Sequence, residues 1–82
     1  MIKVLLLKTN IILISRIEEV PSELGEPDCK LIQPFVVAET GLIPWMSDFT
    51  SQTEMMIHSD SILTIVDANK DYLNKYQSLT AE

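Results

Sequence analysis

The sequence predicts a small, mainly β domain in which five antiparallel strands are followed by one C-terminal helix. Two apolar runs near the N-terminus are separated by the short polar connection KTN, and two β-rich runs later meet across the triplet SDS. After them, the apolar residues change to a helical spacing. The 82 residues form a single domain, 1–82, whose core is too small to stabilise it by a wide margin. We therefore expect additional stabilisation from oligomerisation.

The first two predicted strands, at about residues 2–8 and 11–19, form a hairpin. Asn10 tolerates the positive φ that a tight hairpin turn requires. Apolar residues nearly fill both alternate faces of these strands, whereas an open sheet with one wet face would show alternation. The hairpin therefore belongs to a closed barrel, or a partner covers its second face. The side chains that need this cover are Leu5, Leu7, Ile12 and Ile14.

The third predicted strand covers about residues 29–39 and contains Pro34. Proline lacks the N–H that a sheet ladder needs, so Pro34 marks a bulge, a bend or an edge position. The acidic segment before this strand, residues 21–28, has two prolines and a glycine and is predicted to be an exposed loop. It lacks the ligand spacing of a calcium loop, so we interpret it as a solvated face.

Residues 40–53 are predicted to be a long loop, because Gly41 and Pro44 interrupt any period there. Trp45 and Phe49 lie in this loop. Large apolar side chains in an irregular loop usually pack onto their own domain or onto a partner surface. We expect packing in the core or between subunits, with base stacking or ligand contact as the alternative.

The last two strands are predicted at about residues 54–58 and 61–66, and the helix at about 69–79. Asp67 or Asn69 is available as the helix N-cap. The helix carries an apolar stripe made of Tyr72, Leu73, Tyr76 and Leu79. We interpret this stripe as a lid packed over an open end of the sheet, with partner binding as the alternative.

Composition limits the function classes. Twelve acidic residues against six basic ones give a net charge of −6, which argues against coating nucleic acid by bulk electrostatics, and no DNA partner is expected. Lys8 breaks the apolar N-terminal run, no cleavage site follows it, and no uncharged run is long enough for a membrane span. We expect a soluble protein without a membrane association.

The single cysteine, Cys29, excludes an internal disulfide and favours the cytoplasm.

Catalysis has little support in the sequence. Cys29, His58 and Asp60 are the one conceivable nucleophilic set, and each has an ordinary explanation. Cys29 is explained as a small buried apolar residue, His58 as a residue at the end of a strand, and Asp60 as a turn residue. No phosphate-binding loop or metal-spaced cluster occurs, so we expect no enzymatic activity, no metal and no cofactor.

The last two strands resemble the second motif of the Sm-like family, whose members are small, strongly bent five-stranded barrels. That motif runs apolar, Arg, Gly, two variable residues, apolar, two variable residues, apolar, and here residues 57–65 read IHSDSILTI. His58 and Ser59 replace the Arg-Gly pair, and ILTIVDA is similar to the closing strand of the bacterial Hfq branch. The N-terminal hairpin resembles the first motif, with Asn10 where that motif has glycine. The resemblance covers about residues 2–66.

The whole chain is also similar to small uncharacterised Sm-like proteins of marine viruses and metagenomes. It departs from the family in its helix, which is N-terminal in the family and C-terminal here. Glycine would be the natural residue at the tight turn after His58. We therefore expect Ser59 or Asp60 to adopt an unusual backbone conformation, or the turn to be looser.

The resemblance implies a ring of about five to eight subunits, in which strand four of one subunit pairs with strand five of the next. The interface residues would be Met56, Ile57, Ile62 and Thr64. Two functions then compete. The first is a non-enzymatic scaffold that binds a protein partner through the loop of Trp45 and Phe49. The alternative is a ring that binds single-stranded RNA through His58, Ser59 and Lys30, although the missing Arg and the added Asp60 weaken it.

Overall fold

The computed structural model describes residues 1–80 and is mainly β, as the sequence predicts. Six strands precede one α-helix: β1 (Ile2–Leu7), β2 (Ile12–Glu19), β3 (Cys29–Ala38), β4 (Gly41–Pro44), β5 (Glu54–Ile57), β6 (Ile62–Asp67) and α1 (Lys70–Leu79). They form one antiparallel sheet in the order β4-β3-β2-β1-β6, and β5 also pairs with β3. A short 3-10 turn, Ser59–Ser61, joins β5 to β6.

The predicted N-terminal hairpin is confirmed. β1 and β2 pair in a register that places Leu5 opposite Leu13. Asn10 has a φ of 66°, in the left-handed region that asparagine tolerates better than most residues. Its N–H donates to the carbonyl oxygen of Leu7 at 2.9 Å, which closes the turn.

The prediction of five strands is wrong, because residues 40–53 contain the additional strand β4. Ala38 of β3 pairs with Gly41, and the pairing continues to Phe35 and Pro44. Gly41 has a φ of 128°, a conformation that favours glycine and lets the chain reverse directly after β3. Pro44 ends β4 at the outside of the sheet, where a missing N–H is tolerated. The glycine and the proline therefore bound a short strand instead of interrupting a loop.

The pairing of β3 with β2 is irregular at Gln33 and Pro34, which form a bulge, one of the three features predicted for Pro34. Gln33 has a φ of 53°, and the register between β2 and β3 shifts at this point. The interruption also divides the outer side of β3. Its first half, Cys29 to Ile32, pairs with β5, and its second half, Phe35 to Ala38, pairs with β4.

The sheet curves around one apolar cluster. The cluster consists of Leu5, Leu7, Leu13, Cys29 and Leu31, all buried. Ile57 of β5 and Ile62 of β6 both pack against it, although β5 and β6 lie towards opposite ends of the sheet. The sheet must therefore be strongly curved. Within residues 1–80 its two terminal strands, β4 and β6, are not paired with each other, so a single copy is an open sheet and not a closed barrel.

Helix α1 covers the bulge between β2 and β3. The side chain of Asn69 accepts a hydrogen bond from the Tyr72 N–H at 2.9 Å, so Asn69 is the N-cap, one of the two predicted residues. Tyr76 is completely buried, and its ring meets Phe35 edge-on at a centroid distance of 5.8 Å. Tyr76 of the predicted stripe thus packs the helix onto the sheet, but at the bulge between β2 and β3 instead of an open end, and Leu79 of the stripe remains exposed.

The hydroxyl group of Tyr76 lies among backbone groups of the bulge. The Arg16 N–H donates to it at 3.3 Å, and it lies 2.9 Å from the carbonyl oxygens of Ile32 and Gln33, to either of which it can donate. A bulge disrupts the regular ladder and leaves backbone groups to be satisfied by other partners. Tyr76 therefore joins the helix to the sheet through a hydrogen bond network as well as through packing. No helix within residues 1–80 is long and apolar enough to cross a membrane.

Candidate functional site: two open sheet edges and the turn between them

The sheet presents two unpaired edges in the part of the chain that the structure describes. At one end β6 pairs only with β1, and its side chains Leu63, Ile65 and Val66 are exposed. At the other end β4 and β5 pair only with β3, and Ile43 and Met56 are exposed there. Edge strands offer unpaired N–H and C=O groups to another strand. Natural edges are usually protected by charged side chains. Here β5 and β6 each carry one charged residue, Glu54 and Asp67, and their other exposed side chains are mostly apolar.

The predicted interface residues divide into two pairs. Met56 and Thr64 are exposed on β5 and β6 and lie at the open edges. Ile57 and Ile62 are half-buried and pack against the core cluster of their own protomer. Leu63 and Ile65 are also exposed on β6 but were not among the predicted interface residues. The sequence does contain a signal for their exposure. A strand covered on one face alternates apolar and polar residues, whereas β6 is apolar at consecutive positions.

The turn between β5 and β6 is held by Asp28. The N–H and the hydroxyl group of Ser59 each donate to the Asp28 carboxylate at 2.8 Å. The N–H of Ser61 donates to the carbonyl oxygen of His58 at 3.0 Å, which closes the 3-10 turn. Neither Ser59 nor Asp60 has a positive φ, so the turn is the looser of the two predicted forms. The hydrogen bonds from Ser59 hold the pKa of Asp28 below its ordinary value.

This contact predicts a pH dependence of the turn. The pKa of Asp28 is lower in the folded state than its ordinary value of 3.8. The stability that the ionised carboxylate gives to the turn is therefore fully present above pH 3.8 and is lost as the pH falls through the folded-state pKa. We expect the Ser59 amide resonance to titrate with a midpoint below 3.8 in an NMR pH series. In Asp28→Ala this titration disappears and the Ser59 amide exchanges faster, whereas Glu26→Ala in the same loop leaves both unchanged. A midpoint at or above the ordinary value contradicts this description of the turn.

The predicted RNA-binding residues lie in acidic surroundings. His58 and Ser59 are exposed at the turn, but Lys30 forms an ion pair with Glu54 at 2.9 Å, which raises the pKa of Lys30. A cavity of about 360 Å³ between the turn and the acidic loop is lined by the carboxylates of Glu23, Glu26, Asp28 and Asp60, and by no lysine or arginine. The lining of this cavity therefore offers His58 no positive charge, and a phosphate backbone that entered it would meet like charge.

The surroundings of Cys29 disfavour the conceivable nucleophilic set of Cys29, His58 and Asp60. Cys29 is buried in the core cluster, opposite Ile57 in the strand register. Burial, together with the charges of Asp28 and Glu19, raises the pKa of the Cys29 thiol. A thiol is nucleophilic as its thiolate, so these surroundings suppress its reactivity. Among residues 1–80, no group of three or more His, Cys, Asp or Glu side chains is placed to hold a metal ion.

The loop after β4 separates its two aromatic residues. Trp45 is half-buried, packs against the core cluster, and donates its backbone N–H to the carbonyl oxygen of Pro34 at 2.9 Å. Phe49 is 82% exposed. The expected packing role thus applies to Trp45 within its own protomer, and Phe49 remains available to a partner.

By its fold, the chain is a small, mainly β protein. It has a curved, open antiparallel sheet with apolar edges and a C-terminal helix that packs over the bulge. By sequence the chain belongs to DUF6561, which is described as a family of unknown function, and the match covers residues 1–81. No curated protein matches the sequence. The family description carries no activity, so the Sm-like resemblance and the functions that it implies stay predictions.

Proposed function

We propose that this protein is a non-enzymatic scaffold that assembles into a homo-oligomeric ring and binds a protein partner. The observation that carries this proposal is the pair of open, apolar sheet edges at β6 and at β4 and β5. Both edges are built by one copy, and each lacks a neighbour on its outer side within the described residues. Pairing β5 of one copy with β6 of the next covers β6 and the β5 part of the second edge.

A contact between two different edges is heterologous, and such contacts form rings when the rotation between copies closes. The curvature of the sheet supplies a rotation from each copy to the next. The short turn Ser59–Ser61 joins the end of β5 to the start of β6, so the two edges of one protomer meet at this turn. This arrangement agrees with the ring of about five to eight subunits that the Sm-like resemblance implies.

The surface proposed for a protein partner is the loop that follows β4. Phe49 and Met46 are exposed there beside Ile43 of β4. Neighbouring exposed apolar side chains of this kind are common at protein–protein contacts, in which aromatic residues and methionine are enriched. The buried Cys29 thiol supports a role without covalent chemistry and fits the reducing environment of the cytoplasm.

A ring that binds single-stranded RNA is the weaker alternative. His58 and Ser59 are exposed, as that function requires. However, Lys30 is paired with Glu54, and the cavity beside His58 is lined by carboxylates. Protein–RNA affinity depends strongly on positive charge near the phosphates, so this surface supports the scaffold better.

A charged substitution at the β6 edge tests the assembly. We expect Leu63→Lys to convert the oligomer to a monomer in size-exclusion chromatography with light scattering, because lysine on an edge strand opposes pairing with another strand. The matched control is Leu79→Lys on α1, since Leu63 and Leu79 are 57% and 54% exposed, respectively. The control should keep the wild-type mass, and circular dichroism should show both variants folded. If folded Leu63→Lys keeps the wild-type mass as well, β6 is not an assembly edge.

A further inference from the structure

A separate cavity lies where the outer side of β3 is interrupted. Pro34 has no N–H, and the chain between β4 and β5 leaves the sheet over residues 45–53. Two hydrogen bonds fix this excursion at its ends. Trp45 donates its N–H to the Pro34 carbonyl oxygen at 2.9 Å, and Gln33 donates its N–H to the Thr53 carbonyl oxygen at 2.7 Å. The cavity between these contacts is partly open to solvent and has a volume of about 310 Å³.

The lining of this cavity is uncharged throughout, although the chain carries a net charge of −6. Phe35, Trp45 and Met55 contribute aromatic and apolar surface, and Ser47, Thr50 and Ser51 contribute hydroxyl groups. Mostly apolar walls with a few polar groups are typical of sites for small molecules, and the volume is at the lower end of their usual range of about 300–1,000 Å³.

We propose that this cavity binds a small, neutral, planar heteroaromatic molecule. The volume limits the ligand to a small molecule of about the size of a nucleoside. The uncharged lining offers no counter-charge to an ionised ligand, whose desolvation would go uncompensated. Trp45 and Phe35 offer ring surfaces for a flat ligand, and the hydroxyl groups can bond to heteroatoms at its rim. One copy of the chain builds the whole site, so this proposal does not depend on assembly.

Adenosine and uridine are suitable neutral probes, and their 5′-monophosphates are charged counterparts with the same rings. Trp45 is the single tryptophan of the chain, so its fluorescence reports on the cavity directly. We expect both nucleosides to change this fluorescence saturably, with dissociation constants on the order of 0.1–1 mM. We expect the monophosphates to bind at least about tenfold more weakly than the nucleosides, because the chain is acidic and the cavity lining holds no cation. In NMR spectra, the nucleosides should shift the amide resonances of residues 50–53.

Two variants localise the binding without removing Trp45 from the core. Ser51 is exposed and lines the cavity, so Ser51→Phe should fill the cavity and weaken nucleoside binding about tenfold or more. Phe49 lies in the same loop but does not line this cavity, so Phe49→Ala should bind like the wild type. The proposal is overturned if neither nucleoside binds saturably, if the monophosphates bind equally well, or if folded Ser51→Phe keeps the wild-type affinity.

Discussion

Tyr76→Phe is expected to lower the free energy of unfolding by about 1–3 kcal/mol, although it removes a single oxygen atom. That oxygen accepts from the Arg16 N–H and lies 2.9 Å from the carbonyl oxygens of Ile32 and Gln33. All of these backbone groups belong to the bulge, and the Tyr76 side chain is fully buried. Phenylalanine keeps the edge-on ring contact with Phe35, so the loss of stability measures the contribution of the hydrogen bond network and not that of the ring packing.

The control for this prediction is Tyr72→Phe, which removes a hydroxyl group from a half-buried tyrosine of the same helix. Its effect should stay within about 0.5 kcal/mol. Urea unfolding at one fixed protomer concentration measures both variants, because assembly would make stability depend on concentration. Equal stabilities for Tyr76→Phe and the wild type would show that the hydroxyl group does not support the bulge.

Leu31→Ala is expected to destabilise the protein by about 2–5 kcal/mol. Leu31 is fully buried in the cluster around which the sheet curves, and it lies opposite Ile17 of β2 and Met55 of β5. Truncation therefore opens a cavity at the centre of the domain. Small domains have total stabilities of about 5–15 kcal/mol, so this single change removes a large fraction.

Leu24→Ala provides the matched control, because it is the same substitution at a fully exposed position of the acidic loop. Its effect on the urea midpoint should be close to zero. Since Ile57 and Ile62 pack against the same cluster, Leu31→Ala should also increase amide exchange in β5 and β6. Similar small losses in both leucine variants would contradict a core centred on Leu31.

Local signals were sufficient for much of the fold. The asparagine at position 10 indicated the turn, Pro34 indicated the interruption of β3, and Asn69 was one of two residues offered as the helix cap. Each of these signals acts through the backbone of its own residue. The sequence contains such information directly, and the structure agrees with it.

β4 could not be predicted in this way. Its residues Gly41 and Pro44 disfavour a strand by propensity, and its existence depends on pairing with the second half of β3. Tertiary pairing thus overrides local preference here.

The candidate site shows the same limit. An apolar pattern identifies residues that avoid water but does not say whether they pack within the protomer or at an edge. Ile57 and Ile62 pack against the core cluster, whereas Leu63 and Ile65 lie exposed on β6. The contact of Tyr76 with Ile32 joins positions 44 residues apart, and that of Ser59 with Asp28 joins positions 31 residues apart. Pairings at such separations follow from the fold and carry no local signature.

Native mass spectrometry of the purified wild-type protein, recorded without added ligand, tests most directly whether the open edges pair between copies. The scaffold proposal predicts a single closed species of about five to eight protomers with no excess mass. Excess mass that nuclease removes would shift the assignment to the RNA-binding ring. A monomer across the micromolar concentration range would contradict the proposal, because both apolar edges would then remain unpaired in solution.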